Sequence, residues 1–336
     1  MRSSVFIIAE AGVNHNGDIE TARQMIDAAV NAGADAVKFQ TFRAEQLCTS
    51  DAKKAEYQKK NTGTEETQFE MLKRLELDES AHRELLAYSK RKNLIFISSP
   101  FDLTSLSLLE RLGIPIIKVP SGEIDNLPYL EAIGRMGKKV ILSTGMATLE
   151  EVRFAVEVLV KSGTREEDLS ILHCTSDYPA SMESVNLNAI PVLKKAFPVH
   201  VIGYSDHTLG LEVSIAAVAM GARIIERHFT LDRHLPGPDH AASLEPSQFQ
   251  GMVHAIRNIE KAFGAGEKVP NLSEMSVRKM VRKSIVASKN IKKGEIFSQF
   301  NLEIKRPGSG LSPKAWYQVL GNVAKKDFKK DEQISL

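Results

Sequence analysis

Eight short apolar runs, each leading into polar or charged residues, constrain this chain more than any other feature. They lie at 5–9, 36–37, 94–97, 114–117, 140–142, 171–172, 199–202 and 223–225. The first four lead into Glu10, then Lys38 and Gln40, then Ser98 and Ser99, then Lys118. The last four lead into Ser143 and Thr144; His173, Thr175 and Ser176; Ser205, Asp206 and His207; and Glu226 and His228. Stretches of helical periodicity separate most of them. Runs apolar on both faces and alternating with amphipathic helices indicate a parallel sheet covered on both sides. Eight such units predict an α/β fold, a (β/α)8 TIM barrel, which carries its chemistry at the C-terminal ends of its strands. The polar residues sit where that rule places a site, so the chain reads as an enzyme.

At 336 residues the chain exceeds what a barrel needs, and a second small domain is expected. The barrel is assigned to 1–262 and a linker to 263–281, where Gly264-Ala265-Gly266 and Val269-Pro270-Asn271 interrupt the pattern. The remainder, 282–336, reads as a mostly β module with short runs at 284–287 and 302–305. It contains an internal echo: 291–296 and 328–334 both read apolar, Lys-Lys, turn residue, Glu, apolar. Within the barrel one unit is long. Between Lys38 and the third run, 51–60 reads as a charged helix, Asn61-Thr62-Gly63-Thr64 as a turn, and 70–77 as amphipathic. A long insertion on the catalytic face is expected to shape a substrate pocket.

Bulk properties exclude several classes. A net charge of +2 gives no basic field for nucleic acid or an anionic membrane, so an anionic substrate must be held by local groups. Two distant cysteines, Cys48 and Cys174, have no zinc-like spacing and suggest a reducing compartment. The first run starts too early for a signal peptide, and no stretch has the length of a membrane span. The expectation is a cytoplasmic protein.

His207 and His228 end consecutive strands, so their rings can converge over the barrel mouth. Two neutral imidazoles with open positions suit a divalent metal that also takes oxygen ligands, with Asp206 and Glu226 as neighbours. The plainer reading gives each histidine only a loop hydrogen bond. Lys38 and Lys118 point toward the same mouth and can pair with phosphate or carboxylate, or form a Schiff base as in an aldolase. Ser99, Ser121, Ser143, Ser176 and Ser205, with the turns Ser121-Gly122 and Thr144-Gly145, add hydroxyls and backbone N–H groups for an anion. Glu10 and Glu123 can move a proton there, or simply neutralise a lysine.

These strand ends resemble the sialic acid synthase family. The matching segments include Glu10-Ala11-Gly12-Val13-Asn14-His15, Lys38-Phe39-Gln40-Thr41, Ser98-Ser99-Pro100-Phe101 and Lys118-Val119-Pro120-Ser121-Gly122-Glu123. They continue with Ser143-Thr144-Gly145-Met146, Tyr204-Ser205-Asp206-His207-Thr208, Glu226-Arg227-His228-Phe229-Thr230 and Gly237-Pro238-Asp239-His240. The tail around Lys305-Arg306-Pro307-Gly308-Ser309-Gly310 is similar to the antifreeze-like (SAF) domain that follows the barrel in that family.

The resemblance implies a metal-dependent condensation of phosphoenolpyruvate with an N-acylated mannosamine-type aldehyde. The products would be a nine-carbon 2-keto sugar acid and phosphate, released by C–O cleavage. It implies that Lys38, Lys118, Ser121, Ser143 and Ser205, with Gln40 and Ser99 nearby, hold phosphate and carboxylate. It implies Glu10 as the catalytic carboxylate, Glu226 beside metal-bound water, and Tyr178 and Asp239 against the sugar. The metal would be Mn2+ or Mg2+, with Co2+ possible. It further implies a domain-swapped homodimer in which Arg306 reaches the sugar's N-acyl group. Ser176 departs from the asparagine frequent in N-acetylneuraminate synthases, and the Asn61-Thr62-Gly63 loop resembles legionaminic acid synthases. The acceptor is thus open between N-acetylmannosamine and a 2,4-diacetamido-2,4,6-trideoxy sugar. Alternatives are a pseudaminic acid synthase, a related phosphoenolpyruvate-dependent keto-acid synthase, or a carbohydrate- or partner-binding module on a degenerate barrel.

Overall fold

A computed structural model describes residues 4–63 and 65–336. It contains two compact units, dividing between Phe263 and Gly264. In the first, eight parallel strands close into a barrel in chain order. They are β1 (Phe6–Gly12), β2 (Ala36–Thr41), β3 (Ile95–Pro100), β4 (Ile116–Val119), β5 (Lys139–Ser143), β6 (Leu169–Cys174), β7 (Val201–Asp206) and β8 (Ile224–His228). Among the described residues no helix is long and apolar enough to cross a membrane.

The two-residue period of a strand decides what reaches the barrel axis. Ile8, Ala36, Ile97, Ile141, Leu172 and Ile224 turn inward and plug the interior. Their neighbours Ile7, Val37, Phe96, Leu142, Ile171 and Ile225 turn outward into the larger core beneath the helices. Two residues beyond five of these six plug residues the inward position is polar: Glu10, Lys38, Ser99, Ser143 and Glu226; beyond Leu172 it is Cys174. The register pairs Glu10 with Lys38 and with His228 across the β1–β2 and β1–β8 ladders. An apolar plug therefore lies directly below a polar layer.

Side chains that satisfy the free N–H groups of the first turn fix many helix starts. Asp18 caps α1 (Ile19–Asn31) by accepting from Thr21 N. After β2 the insertion forms α2 (Ala44–Leu47), α3 (Glu56–Thr62) and α4 (Gln68–Leu75) before α5 (Glu79–Arg91), which Asp78 caps. The sequence reading differs in detail here. Helix begins at Glu56 rather than 51, and Asn61 and Thr62 belong to its last turn. The turn is made by Gly63 in the left-handed region; Thr64 lies outside the described residues. A satellite cluster of Val13, Phe42, Ala44, Met71, Leu72 and Leu75 seats the insertion.

The second unit has its own small core, including Ile285, Ile291, Phe297, Leu302, Phe328 and Ile334. Its strands Ser284–Ala287 and Leu302–Lys305 are antiparallel. The two echoing segments pair with each other through an Ile291–Phe328 bridge, and each turns at a positive-φ residue, Gly294 and Asp331. The segment read as a linker holds a helix, Leu272–Val281, capped by Asn271.

Candidate active site

The polar layer is floored by two lysines and two glutamates with almost no solvent exposure. Lys38 Nζ lies 2.8 Å from Glu10 Oε2 and 3.6 Å from Glu226 Oε1. Lys118 Nζ lies 2.8 Å from Glu226 Oε1. Lys38 also donates to Ser99 Oγ at 3.1 Å, and Ser205 donates to Glu226 at 3.2 Å. Burial and two adjacent cations set the carboxylates apart. Burial raises Glu10 to about 7 despite Lys38 beside it. Burial also disfavours ionised Glu226, but Lys118 and Lys38 outweigh it and hold that group down at about 2. Two cations against one firmly ionised carboxylate leave a net positive layer suited to an anion.

Above it, a cavity of about 580 Å3 opens at the C-terminal strand ends. It is lined by Glu10, Lys38, Gln40, Ser99, Lys118, Ser121, Ser143, Ser176, Tyr178, Ser205, His207, Glu226, His228 and Asp239. Fourteen of the residues picked from the sequence thus meet in one space. On the far rim, Ser121 Oγ accepts from Gly145 N at 2.9 Å. A Cβ on Gly145 would stand 2.1 Å from Ser176 Oγ and 2.9 Å from Ser121 Oγ, so only glycine admits both hydroxyls. Gly12 does the same on β1. At φ +54 it turns the chain while Glu10, Gln40 and Asp239 approach within 3.7 Å of where its side chain would begin. Burial lifts Asp239 to about 6, with Lys38 opposing.

The two histidines converge, with ring centroids 5.4 Å apart. Tyr178 packs on both, at 4.2 Å from His207 and 5.6 Å from His228. His207 Nδ1–H donates to Thr175 O at 2.6 Å, which turns its Nε2 lone pair to the cavity. His228 Nδ1 is buried without a hydrogen-bond partner, as is Glu226 Oε2. Burial lowers His207 to about 4 and His228 well below 6.5, so both imidazoles are neutral and can ligate. These residues fit a divalent cation that completes its shell with substrate or water oxygens. Among the described residues no group of three or more His, Cys, Asp or Glu could hold one alone.

Three expectations need revision or relocation. Glu123 does not line the cavity; it sits in a short 3-10 turn, where it accepts from Asn126 Nδ2 at 2.5 Å. Asp206 points outward, not toward the histidines, because along β7 it alternates with the inward Ser205 and His207. There it pairs with Arg227 at 2.7 Å, both side chains fully buried. Asn61 does not line the cavity either, but its Nδ2 donates to Pro238 O at 2.6 Å and ties the insertion to the loop after β8. Arg306 is exposed in the second unit. Sequence reasoning missed Cys174, an inward residue 3.3 Å from Ser121 Oγ that strand alternation from Leu172 could have placed. It also missed an apolar wall of Val13, Leu47, Met71, Leu72 and Leu75, which carries no chemical motif.

The chain belongs to the NeuB family, whose model matches residues 25–268, and it carries a SAF domain over residues 282–336. It is 52% identical over 328 residues to the N,N'-diacetyllegionaminic acid synthase of Campylobacter jejuni, covering 98% of each chain. It is 46% identical over 319 residues to the enzyme of the same name from Legionella pneumophila, covering 94% of this chain and 89% of that one. Among solved structures it resembles the sialic acid synthetase of Leptospira borgpetersenii. That match has a TM-score of 0.72 and 37% identity, over 82% of this chain and 90% of that one.

Proposed function

We propose that this barrel condenses phosphoenolpyruvate with 2,4-diacetamido-2,4,6-trideoxymannose to give N,N'-diacetyllegionaminic acid and phosphate. The observation that carries this reading is the pairing of a buried cationic floor with two convergent neutral histidines one layer above it. Lys38 and Lys118 bind the phosphate and carboxylate, and Ser99, Ser121, Ser143 and Ser205 supply hydroxyl donors around them. A divalent cation held by His207 and His228, Mn2+ or Mg2+ with Co2+ as a substitute, would polarise the acceptor's carbonyl oxygen.

Carbon 3 of phosphoenolpyruvate attacks the aldehyde carbon. Water adds its hydroxyl to carbon 2, and its proton passes by way of Glu10 to the former aldehyde oxygen. The tetrahedral intermediate then breaks its carbon–oxygen bond to phosphate, and the carbon 2 hydroxyl proton departs, leaving the keto group. A carboxylate near 7 can both accept and return a proton at neutral pH. Tyr178, Asp239 and Ser176 contact the sugar, and Asn61 holds the insertion beside it.

A cytoplasmic, domain-swapped homodimer with Arg306 acting on the N-acyl group also belongs to this reading. Arg306→Ala is expected to raise the acceptor KM with little change in the KM for phosphoenolpyruvate. The direct test is phosphate release with Mn2+, offering the diacetamido sugar and N-acetylmannosamine separately. Faster turnover of the first supports the proposal; preference for the second reassigns the acceptor, and silence with both overturns the activity.

A further inference from the structure

Asp239 lines the cavity, yet its carboxylate is not held by a hydrogen bond from any described residue; burial and the charge of Lys38 are what act on it. Its direction is therefore set by its backbone. That backbone lies in the loop after β8, closed at its base where Leu244 N donates to His228 O at 2.9 Å and Thr230 N donates to Leu244 O at 3.0 Å. Three asparagines hold the loop from elsewhere in the chain. Asn61 donates to Pro238 O, and Asn16 Nδ2 lies 3.2 Å from His240 Nε2, whose Nδ1 is 2.7 Å from Thr230 Oγ1. Asn14 differs, because it stands four residues beyond Glu10 at the end of the same strand. Its Nδ2 donates to Phe229 O and to Ser243 Oγ, both at 2.9 Å, and Ser243 Oγ donates to Asp239 O at 2.7 Å. Phe229 N in turn donates to Glu10 O at 2.8 Å. Asn14 and Ser243 are each 1% exposed. Asn14 Oδ1 has no partner among the described residues, so the side chain serves as a double donor. Buried relays of this kind hold geometry more firmly than the same bonds in water.

We infer that Asn14 is a positioning residue for the acceptor: through Ser243 it holds the Asp239 backbone so that the carboxylate stays at a fixed place across Gly12 from Glu10. The two carboxyl groups flank one point, with Glu10 Oε1 3.2 Å and Asp239 Oδ2 3.7 Å from where a Cβ on Gly12 would stand. Asn14 thus ties the sugar contact to the strand that carries the proton carrier, without touching either substrate. The inference rests on the reading above that Asp239 contacts the sugar.

Ser243→Ala removes the middle hydroxyl of the relay, and Asn14→Ala removes its source. Each is assayed with phosphoenolpyruvate, Mn2+ and the diacetamido acceptor, alone and combined with Asp239→Ala. Each single change should raise the acceptor KM by roughly 3- to 10-fold, the weight of one buried hydrogen bond, with kcat and the KM for phosphoenolpyruvate within about twofold of the original. In the Asp239→Ala background neither should raise the acceptor KM further, because the carboxylate they aim is gone. A merely structural role would lower stability without singling out one KM. If Asn14→Ala does not fold, Ser243→Ala carries the test. An unchanged acceptor KM in Ser243→Ala, beside a raised one in Asp239→Ala, overturns the inference and keeps the sugar contact; so does a further rise when the two are combined. An unchanged acceptor KM in Asp239→Ala overturns the sugar contact, and the inference with it.

Discussion

Asp206 and Arg227 form a fully buried ion pair of 2.7 Å on the outer face of β7 and β8, opposite the cavity. They are ladder partners in register, so the pair fixes the two strand ends that carry Ser205, His207, Glu226 and His228. Asp206 also accepts from Thr208 N and from Ser214 Oγ, so both its oxygens are engaged. The outward carboxylate thus sits on the same strand ends as the inward imidazoles without touching them.

Asp206→Asn should therefore act at a distance. Leaving Arg227 buried without its counter-charge costs about 3–5 kcal/mol of stability. Loss of the clamp should also weaken Mn2+ binding by roughly 10- to 100-fold, as removal of an orienting partner does. Calorimetric titration with Mn2+ and urea denaturation measure the two effects. Unchanged Mn2+ affinity would make the pair purely structural. His207→Ala, by contrast, should abolish Mn2+ binding and turnover while leaving the unfolding transition near its original position.

Glu10→Gln keeps the shape of the floor and removes the proton carrier. We expect kcat to fall by about 10²- to 10⁴-fold, the usual share of a positioned acid–base group. Binding of phosphoenolpyruvate should persist or tighten, because one negative charge beside Lys38 is gone. Steady-state kinetics with a phosphoenolpyruvate titration separates these outcomes, and a raised KM with normal kcat would assign Glu10 to binding alone.

Gly145→Ala forces a Cβ into the space of Ser176 Oγ and Ser121 Oγ. Both hydroxyls lie on the cavity surface, so their displacement should reach both substrates. We expect at least a tenfold rise in KM for phosphoenolpyruvate, with the barrel still folded by circular dichroism. An unaltered KM would mean the Ser121 side of the rim makes no contact with it.

Acid should destabilise the barrel through its buried neutral histidines. Burial lowers His15 to about 4, and His82 is shifted in the same direction for the same reason. A base whose folded pKa is depressed favours the folded state above its unfolded value, near 6.5, and loses that advantage as pH falls toward the folded value. For His15 the loss is roughly 1 kcal/mol by pH 5.5. Glu10 and Asp239, whose folded values are raised to about 7 and about 6, work the other way and gain stability as pH falls. The contribution of His15 is therefore read as a difference: the Tm of His15→Gln relative to the unaltered protein should rise as pH falls below about 6.5. An equal slope in the variant would show that His15 remains uncharged in both states or is not buried in solution.

Where the sequence was informative, the reason is strand alternation. Plug residues such as Ile8 and Ile224 are two positions before Glu10 and Glu226, so an apolar run followed by a charge marks both the strand and its inward face. That same rule separates His207 from Asp206, its neighbour, but only once the register is known; read as a cluster, both seemed to face the mouth. Glu123 misled for a related reason. It lies beyond β4, in a turn whose direction no strand period controls, and Asn126 captures it. The insertion was the least legible part. Leu47, Met71, Leu72 and Leu75 resemble any helix core, and only the fold shows that the core also borders the cavity.

The most direct test of the account follows the bridging oxygen of phosphoenolpyruvate. With 18O between carbon 2 and phosphorus, Mn2+ and the diacetamido acceptor, the label should appear wholly in the released phosphate, because water supplies the new keto oxygen. Label retained in the keto acid would mean cleavage at phosphorus and an enolpyruvate aldol route, and label lost to water would mean a Schiff base on Lys38 or Lys118; either outcome would contradict the account.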